Sequence, residues 1–111
     1  MNLKNKIFEL IENQEGLADS QTRMIFNGNS LPFQATYSGP NVSNGQVLVS
    51  TNVNNDLSMV YHALASDGSL VAGKADISFA TIENTLTMEL NWQWLTGDLS
   101  SGVSRWREQI A

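Results

Sequence analysis

The chain has 111 residues, a net charge of −5 at pH 7 and no cysteine; this is the length of one domain, so we predict a single domain over residues 1–111. The missing cysteines exclude disulfide frameworks, cysteine zinc sites and thiol catalysis. Nucleic acids and anionic membrane surfaces bind to basic patches, which this acidic chain lacks, so neither is an expected partner.

The N-terminal segment, residues 3–14, has the apolar spacing of an amphipathic helix. The apolar face consists of Leu3, Ile7, Leu10 and Ile11, with Phe8 at its edge. Its charges oppose the helix dipole, because lysines come first and glutamates last. The helix is therefore expected to depend on packing its apolar face against the rest of the protein. The glutamates also interrupt the apolar stretch that a secretory signal requires, which favours a cytoplasmic location.

After Gly16 the apolar pattern changes to a period of two, which is typical of strands. Asparagine, glycine, serine and proline residues cluster between the alternating segments, where they predict turns. The first three predicted strands of this series are residues 22–27, 31–38 and 46–53.

The segment at residues 57–65 fits two different structures. As a strand, it leads into Asp67 and Gly68, which predict a two-residue hairpin turn of type I′ and a return strand over residues 70–80. As a helix, it places apolar residues three and four positions apart on one face, behind an Asp56 cap. We favour the hairpin because its turn chemistry is the more specific signal.

The last clear alternation covers residues 86–94, where every position fits a strand and only some positions fit a helix. The tail, residues 99–110, predicts a short C-terminal helix, because its apolar residues fall at helical intervals. These residues are Leu99, Val103, Trp106 and Ile110. A seventh strand through Val103–Arg107 is the alternative.

His62 is the only histidine of the chain, and one histidine does not make a multi-histidine metal site. We expect it on the polar face of its strand, and a general-base role is the lesser alternative. The phosphate-binding glycine motifs and the G-x-S-x-G nucleophile motif are absent from the sequence. The sequence therefore predicts no enzyme, no cofactor and no metal site.

Four aromatic residues on the predicted strands are the candidate ligand-binding residues: Tyr37, Tyr61, Trp92 and Trp94. If the sheet curls, its concave face presents such side chains to a small apolar or amphipathic ligand. The alternative is that they pack against the N-terminal helix as core, because a domain of this size needs its large side chains for that purpose.

Three segments between Phe33 and Trp94 share a rhythm of alternating strands joined by Asp-Gly or Asn-rich turns: FQATYSG, YHALASDGSLVAGKADISF and LTMELNWQWLTG. In this rhythm the chain resembles the calycins, the lipocalin-like small β-barrels. The resemblance implies an up-and-down meander of strands. No binding residue is carried over from it.

A helix at residues 57–65 gives the element order α-β-β-β-α-β-β-α. In that order, and in its small size and acidity, the chain is similar to the type III secretion chaperones. Those proteins dimerise and bind an unfolded effector segment, so this resemblance implies a protein partner.

We therefore predict an α+β fold, mainly antiparallel β. The N-terminal helix packs on a curled six-strand meander or small barrel, and a short C-terminal helix follows. The predicted function is that of a non-catalytic binding protein, with a small apolar or amphipathic ligand on the concave face of the sheet. The alternative is a dimeric protein-binding module or secretion-chaperone-like protein. The expected partner is thus a small molecule or a protein, and a homodimer remains open.

Overall fold

The computed structural model describes residues 3–13, 16–17, 22–27, 31–39, 42–97 and 99–109. None of these residues lies in a helix, so the described chain has no helix that spans a membrane. The strands are β1 (Ile7–Asn13), β2 (Gly16–Leu17), β3 (Arg23–Phe26), β4 (Phe33–Gly39), β5 (Val42–Thr51), β6 (Leu57–Ala65), β7 (Leu70–Ile82), β8 (Thr85–Trp94) and β9 (Ser101–Glu108).

The strands form a closed antiparallel barrel. From β3 to β9 each strand pairs with the next one along the chain, and β1 closes the ring by pairing with both β3 and β9. Eight strands make the ring, because β2 is a two-residue extension that pairs only with the end of β1. Closure gives each of the eight ring strands a hydrogen-bonded neighbour on both sides, so the ring has no exposed edge of the kind that an open sheet has.

Alternate residues of each strand point into the barrel and form its core. One end is filled by aromatic rings, because the Phe8 ring centroid lies 5.6 Å from that of Phe26 and 6.1 Å from that of Phe79. Leu3 is fully buried in the same cluster. We call this the plugged end of the barrel. The chain enters β4, β6 and β8 at this end, so their last residues lie at the opposite end.

The predicted N-terminal helix over residues 3–14 is wrong, because Ile7–Asn13 is strand β1. Phe8 is fully buried and Leu10 faces the barrel interior, so the inward-facing side chains are two residues apart, as in a strand. Ile7 on the opposite face and Ile11 at the bulge between Leu10 and Glu12 are half-buried. Apolar residues on both faces of a strand imitate the spacing of a helix, and pairing with two neighbouring strands decides the structure.

The predicted C-terminal helix over residues 99–110 is also wrong, and the alternative of a seventh strand through Val103–Arg107 is correct, because Ser101–Glu108 forms β9. With no helix at either position, the α+β class and the secretion-chaperone order are both overturned. The last residues of the two predicted helices, Gln14 and Ile110, lie outside the described residues.

The segment at residues 57–65 is strand β6, as the hairpin interpretation predicts. Its loop has three residues, because the Gly68 N–H donates to the Ala65 carbonyl and the Ala65 N–H donates to the Ser69 carbonyl, each at 2.9 Å. Within this loop only Gly68 has a positive φ, of 85°. The predicted type I′ turn is therefore wrong, and a three-residue loop with a left-handed glycine stands in its place.

The type I′ geometry occurs instead between β7 and β8. Glu83 and Asn84 have φ angles of 52° and 66°, and the flanking residues Ile82 and Thr85 are paired. The other predicted strands are present as β3, β4, β5, β7 and β8, with boundaries shifted by a few residues. The up-and-down connectivity that the calycin resemblance implies is confirmed by the strand order.

Candidate ligand-binding cavity

A cavity of about 160 Å³ lies inside the barrel, at the end opposite the plugged end. Its walls come from β1, β3, β4, β5, β6, β8 and β9. We call this the open end, and the loop at residues 66–68 and the residues 95–97 that follow β8 lie there. The interior of an eight-stranded barrel can be filled by side chains or can hold one small ligand. Here side chains fill the plugged end, and the open end contains the cavity.

All three tryptophans and both tyrosines of the chain line this cavity: Tyr37, Tyr61, Trp92, Trp94 and Trp106. The structure thus brings the four predicted binding residues to one place. It also adds Trp106, which the sequence analysis assigned to a terminal helix. The alternation of arginine, tryptophan and arginine at 105–107 is the signal that indicates a strand with an inward tryptophan.

The same aromatic side chains also contribute to the core. Tyr37, Tyr61 and Trp92 are partly buried and pack against the buried cluster, while Trp106 belongs to it with 3% of its surface exposed. The alternative of packing against an N-terminal helix is wrong, because that helix is absent. The same side chains therefore belong to the core and to the cavity wall, because their rings leave an unfilled space between them at the open end.

Tyr61 contacts one residue of the adjoining strand β7 and two residues of β8, the next strand along. Its ring meets the Trp94 ring edge to face, with centroids 5.1 Å apart and planes at 84°. Its hydroxyl donates to the Gln93 carbonyl at 3.4 Å. The ring lies over Gly73 on β7, where an added Cβ would be only 2.4 Å from the Tyr61 ring. Glycine at that position is therefore required for this placement of the ring.

Burial raises the pKa of Tyr61 to about 12, and the neighbouring Tyr37 adds to the rise. Desolvation disfavours the charged phenolate, and a second phenol nearby has the same effect. At neutral pH the Tyr61 hydroxyl is uncharged, and its proton is donated to the Gln93 carbonyl.

Ser104 is the polar group deep in the cavity wall. It is 5% exposed and lies on β9 opposite Leu90 of β8. The Trp106 Nε1–H donates to Ser104 Oγ at 2.9 Å, which fixes the indole ring against the wall. The Tyr37 ring then packs on that indole, with centroids 6.0 Å apart and planes at 64°.

The comparison with protein families matches residues 1–109 to the avidin-like proteins. The chain belongs to the avidin-like family. No curated protein and no solved structure matches the chain. The family and the closed barrel together confirm the predicted resemblance to small calycin-like barrels.

The cavity wall of this avidin-like barrel carries no carboxylate, ammonium or guanidinium group among the described residues. His62 of β6 is exposed and also lies among the residues that line the cavity. Across the described part of the chain, no group of three histidine, aspartate or glutamate residues is placed to hold a metal ion. Apolar contact and neutral hydrogen bonding are therefore the interactions that this wall offers.

Proposed function

We propose that this avidin-like protein is a non-catalytic binding protein that holds a small apolar or amphipathic ligand in the barrel cavity. The observation that carries the proposal is the cavity at the open end, lined by five aromatic side chains and, in the described residues, by no carboxylate, ammonium or guanidinium group. Aromatic walls supply a large apolar contact area, and a few polar groups orient the ligand.

The size of the cavity limits the ligand. Its volume is about 160 Å³, whereas pockets for drug-sized molecules are roughly 300–1,000 Å³. A ligand that the barrel encloses completely is thus smaller than a typical drug. A longer amphipathic ligand would place only one end inside the barrel and leave the rest at the mouth.

Family membership supports the same proposal. Avidin-like proteins bind small ligands such as biotin, so biotin is the first ligand to test on this chain. We propose that Tyr37, Tyr61, Trp92 and Trp94 contact the ligand, because all four line the cavity.

Tryptophan emission is the direct test, because all three tryptophans line the cavity. We expect biotin, or a member of a series of short-chain fatty acids and alcohols, to shift or quench this emission saturably. Replacing Trp92→Ala should weaken that binding by about thirtyfold or more, because truncating an aromatic anchor costs about 2 kcal/mol or more. The matched control is Val53→Ala, since Val53 is fully exposed in the turn at the plugged end.

A chain whose emission responds to none of these ligands, while a neutral quencher fails to reach Trp92 and Trp94, would contradict the proposal. Equal weakening by Trp92→Ala and Val53→Ala would show that the loss of binding comes from a general effect on the protein.

A second copy of the chain is the protein partner that we propose alongside the ligand. On the outer surface, Leu48 of β5 and Val60 of β6 are paired neighbours with 39% and 54% of their surface exposed. Exposed apolar neighbours on a strand surface are typical of contacts between subunits. The cytoplasmic location stays a prediction from the sequence.

A further inference from the structure

An apolar strip crosses the outer surface of β5, β6 and β7. Leu64 of β6 pairs with Leu70 of β7, and these side chains are 40% and 66% exposed. Together with the neighbouring exposed pair of Leu48 and Val60, they place four apolar side chains on one face of the sheet. We call these four residues the apolar strip. The surface that we propose as the contact with a second copy therefore extends onto β7.

His62 lies within the apolar strip, between Val60 and Leu64 of β6. Tyr61 and Ala63, on either side of His62 in the chain, face the cavity, so alternation turns the imidazole to the outer surface. The side chains of Val60, His62 and Leu64 are all exposed. A second copy that covers the apolar strip would thus also cover this imidazole.

The two strands beside β6 place no negative charge next to His62. Its partners across the sheet are Gln46 of β5 and Ala72 of β7. Lys74 of β7 is its diagonal neighbour, at about 7–8 Å. Asp76 lies two residues further along β7, about 13 Å from His62. A protonated imidazole here would therefore be closer to a positive charge than to that carboxylate.

The acidic side chain of the adjoining β6–β7 loop is already engaged. The Asp67 carboxylate accepts hydrogen bonds from the Ser69 N–H at 2.9 Å and from the Ser69 hydroxyl at 2.6 Å. Among the described residues, no hydrogen bond or ion pair involves the imidazole of His62. Water is consequently what solvates a charge on this ring in the single chain.

The charge of an imidazole decides whether a partner can cover it. Imidazole is the side chain whose charge ordinarily changes between about pH 5 and pH 8. A neutral ring can be buried beside apolar side chains, whereas a charged ring that loses its water without a counter-charge is strongly unfavourable. In a two-fold contact both copies use the same surface, so two such rings are covered at once.

We propose that His62 makes the contact between two copies of this chain sensitive to pH, so that the dimer forms while both imidazoles are neutral and dissociates when they are protonated. This inference rests on the homodimer of the proposed function, because it names the regulation of that contact. It does not depend on the ligand in the cavity.

The direction of the pH effect distinguishes His62 from the overall charge. The separate chains bind more protons than the dimer does, so the dimer is lost as the pH falls through the range in which histidine titrates. The overall charge acts in the opposite direction. Acidification from pH 7, where the net charge is −5, toward the isoelectric point of about 4.5 reduces the repulsion between copies.

The test is sedimentation equilibrium of the full chain at several concentrations and constant ionic strength, at about pH 8 and about pH 5.5. We expect the dimer dissociation constant to rise by about tenfold or more at the lower pH, because each imidazole that must lose its proton contributes up to about tenfold per pH unit. Far-UV circular dichroism at both pH values checks that the chain stays folded.

Two replacements of His62 separate its charge from its shape. His62→Gln removes the titration and keeps an uncharged polar side chain, so its dissociation constant should be the same at both pH values. His62→Lys is charged at both pH values, so it should weaken the dimer at about pH 8 as acid does in the wild type. Glu83→Gln, in the exposed turn between β7 and β8, is the matched control and should keep the wild-type response.

A wild-type dimer that is equally strong at both pH values, or stronger at the lower one, would overturn the role of His62 and leave the proposed homodimer intact. A full wild-type rise in His62→Gln would do the same. If the wild-type chain has the mass of a monomer at both pH values and at every concentration, the homodimer and this inference both fail, and the proposed ligand cavity is unaffected.

Discussion

Two glycines on the inner surface of the barrel lie beneath tyrosine rings. An added Cβ at Gly45 would be 2.7 Å from the Tyr37 Cβ, and one at Gly73 would be 2.4 Å from the Tyr61 ring. Glycine normally weakens a strand because it has no side chain to pack, and here an aromatic ring from the neighbouring strand covers the vacant position. These pairs therefore shape the cavity wall.

We predict that Gly73→Ala destabilises the protein through Tyr61. The new methyl group overlaps the ring, which must swing away from Trp94, and overpacking of this kind costs about 1–3 kcal/mol. The measurement is the free energy of unfolding in urea, for Gly73→Ala alone and in a Tyr61→Leu background. The loss should shrink in that background, and an equal loss in both would show that the ring is not its cause.

The ionisation of Tyr61 predicts a pH dependence of stability. Its pKa rises from 10.0 to about 12 in the folded protein, so the folded state holds this proton more tightly than the unfolded chain does. The stabilisation is complete below pH 10 and is lost as the pH rises from 10 to about 12. Phenolate absorbance should contain a component that titrates near 12 in the native chain and disappears in Tyr61→Phe. Ionisation of Tyr61 near pH 10 would contradict this.

At the scale of the strands, charged pairs mark the register of the barrel closure. Lys6 contacts Glu108 at 2.6 Å, and the outer surfaces of β1, β8 and β9 carry further pairs: Arg105 with Glu12 and Glu89, and Arg107 with Glu9. Exposed pairs contribute only about 0–1 kcal/mol each, so they favour one register more than they add stability. Glu9 and Glu12 of β1, which would have been unfavourable near the end of a helix, thus pair with the arginines of β9.

Inward residues of β8 form the centre of the core, and Leu90 provides the test. Leu90 is 4% exposed and faces Ile77 and Ser104 on the neighbouring strands. Replacing Leu90→Ala should lower the free energy of unfolding by about 2–5 kcal/mol, as other large-to-small core changes do. Val53→Ala in the exposed turn at the plugged end is the control and should change it by only about 0.5 kcal/mol. Equal urea midpoints for the two variants would show that the β8 face is not core.

The strands differ in how well their sequences indicate them. In β4, β6 and β8, apolar residues point inward and polar ones mostly outward, so local alternation predicts them. In β9 the inward residues are Gly102, Ser104 and Trp106, only one of which is large and apolar. The hydrophobic alternation is lost there because the wall of the cavity uses a small residue and a polar one. The small and polar inward residues of β9 therefore help to form the cavity, and they also make β9 difficult to predict from the sequence.

For the whole molecule, closure gives the barrel two different ends. The phenylalanine cluster fills one end, and the rings at the other end enclose the cavity. The charged pairs lie on the outer surface around β9, while the exposed Leu48 and Val60 lie on that of β5 and β6. The two outer surfaces therefore differ, with charged pairs on the first and exposed apolar side chains at the centre of the second.

We predict that the protein forms a homodimer through the outer surface of β5 and β6. The measurement is solution mass by light scattering at several concentrations. Leu48→Lys with Val60→Lys should shift the mass to that of one chain of 12.2 kDa, because two charges on each side of the contact repel each other. A wild-type chain that has the mass of a monomer at every concentration would show that this surface is not an interface.

The sequence by itself determined the positions of strands β3 to β8, because alternation and turn residues act over a few positions and the backbone follows them. It also determined the four aromatic residues that line the cavity and the absence of cysteine chemistry. Only the tertiary structure decided the two terminal strands, since β1 and β9 hydrogen-bond to each other across most of the chain length. Closure of the barrel also decided that the aromatic side chains line a cavity. An enclosed cavity forms only when strands from both ends of the chain surround it. The single domain over residues 1–111 stays a prediction.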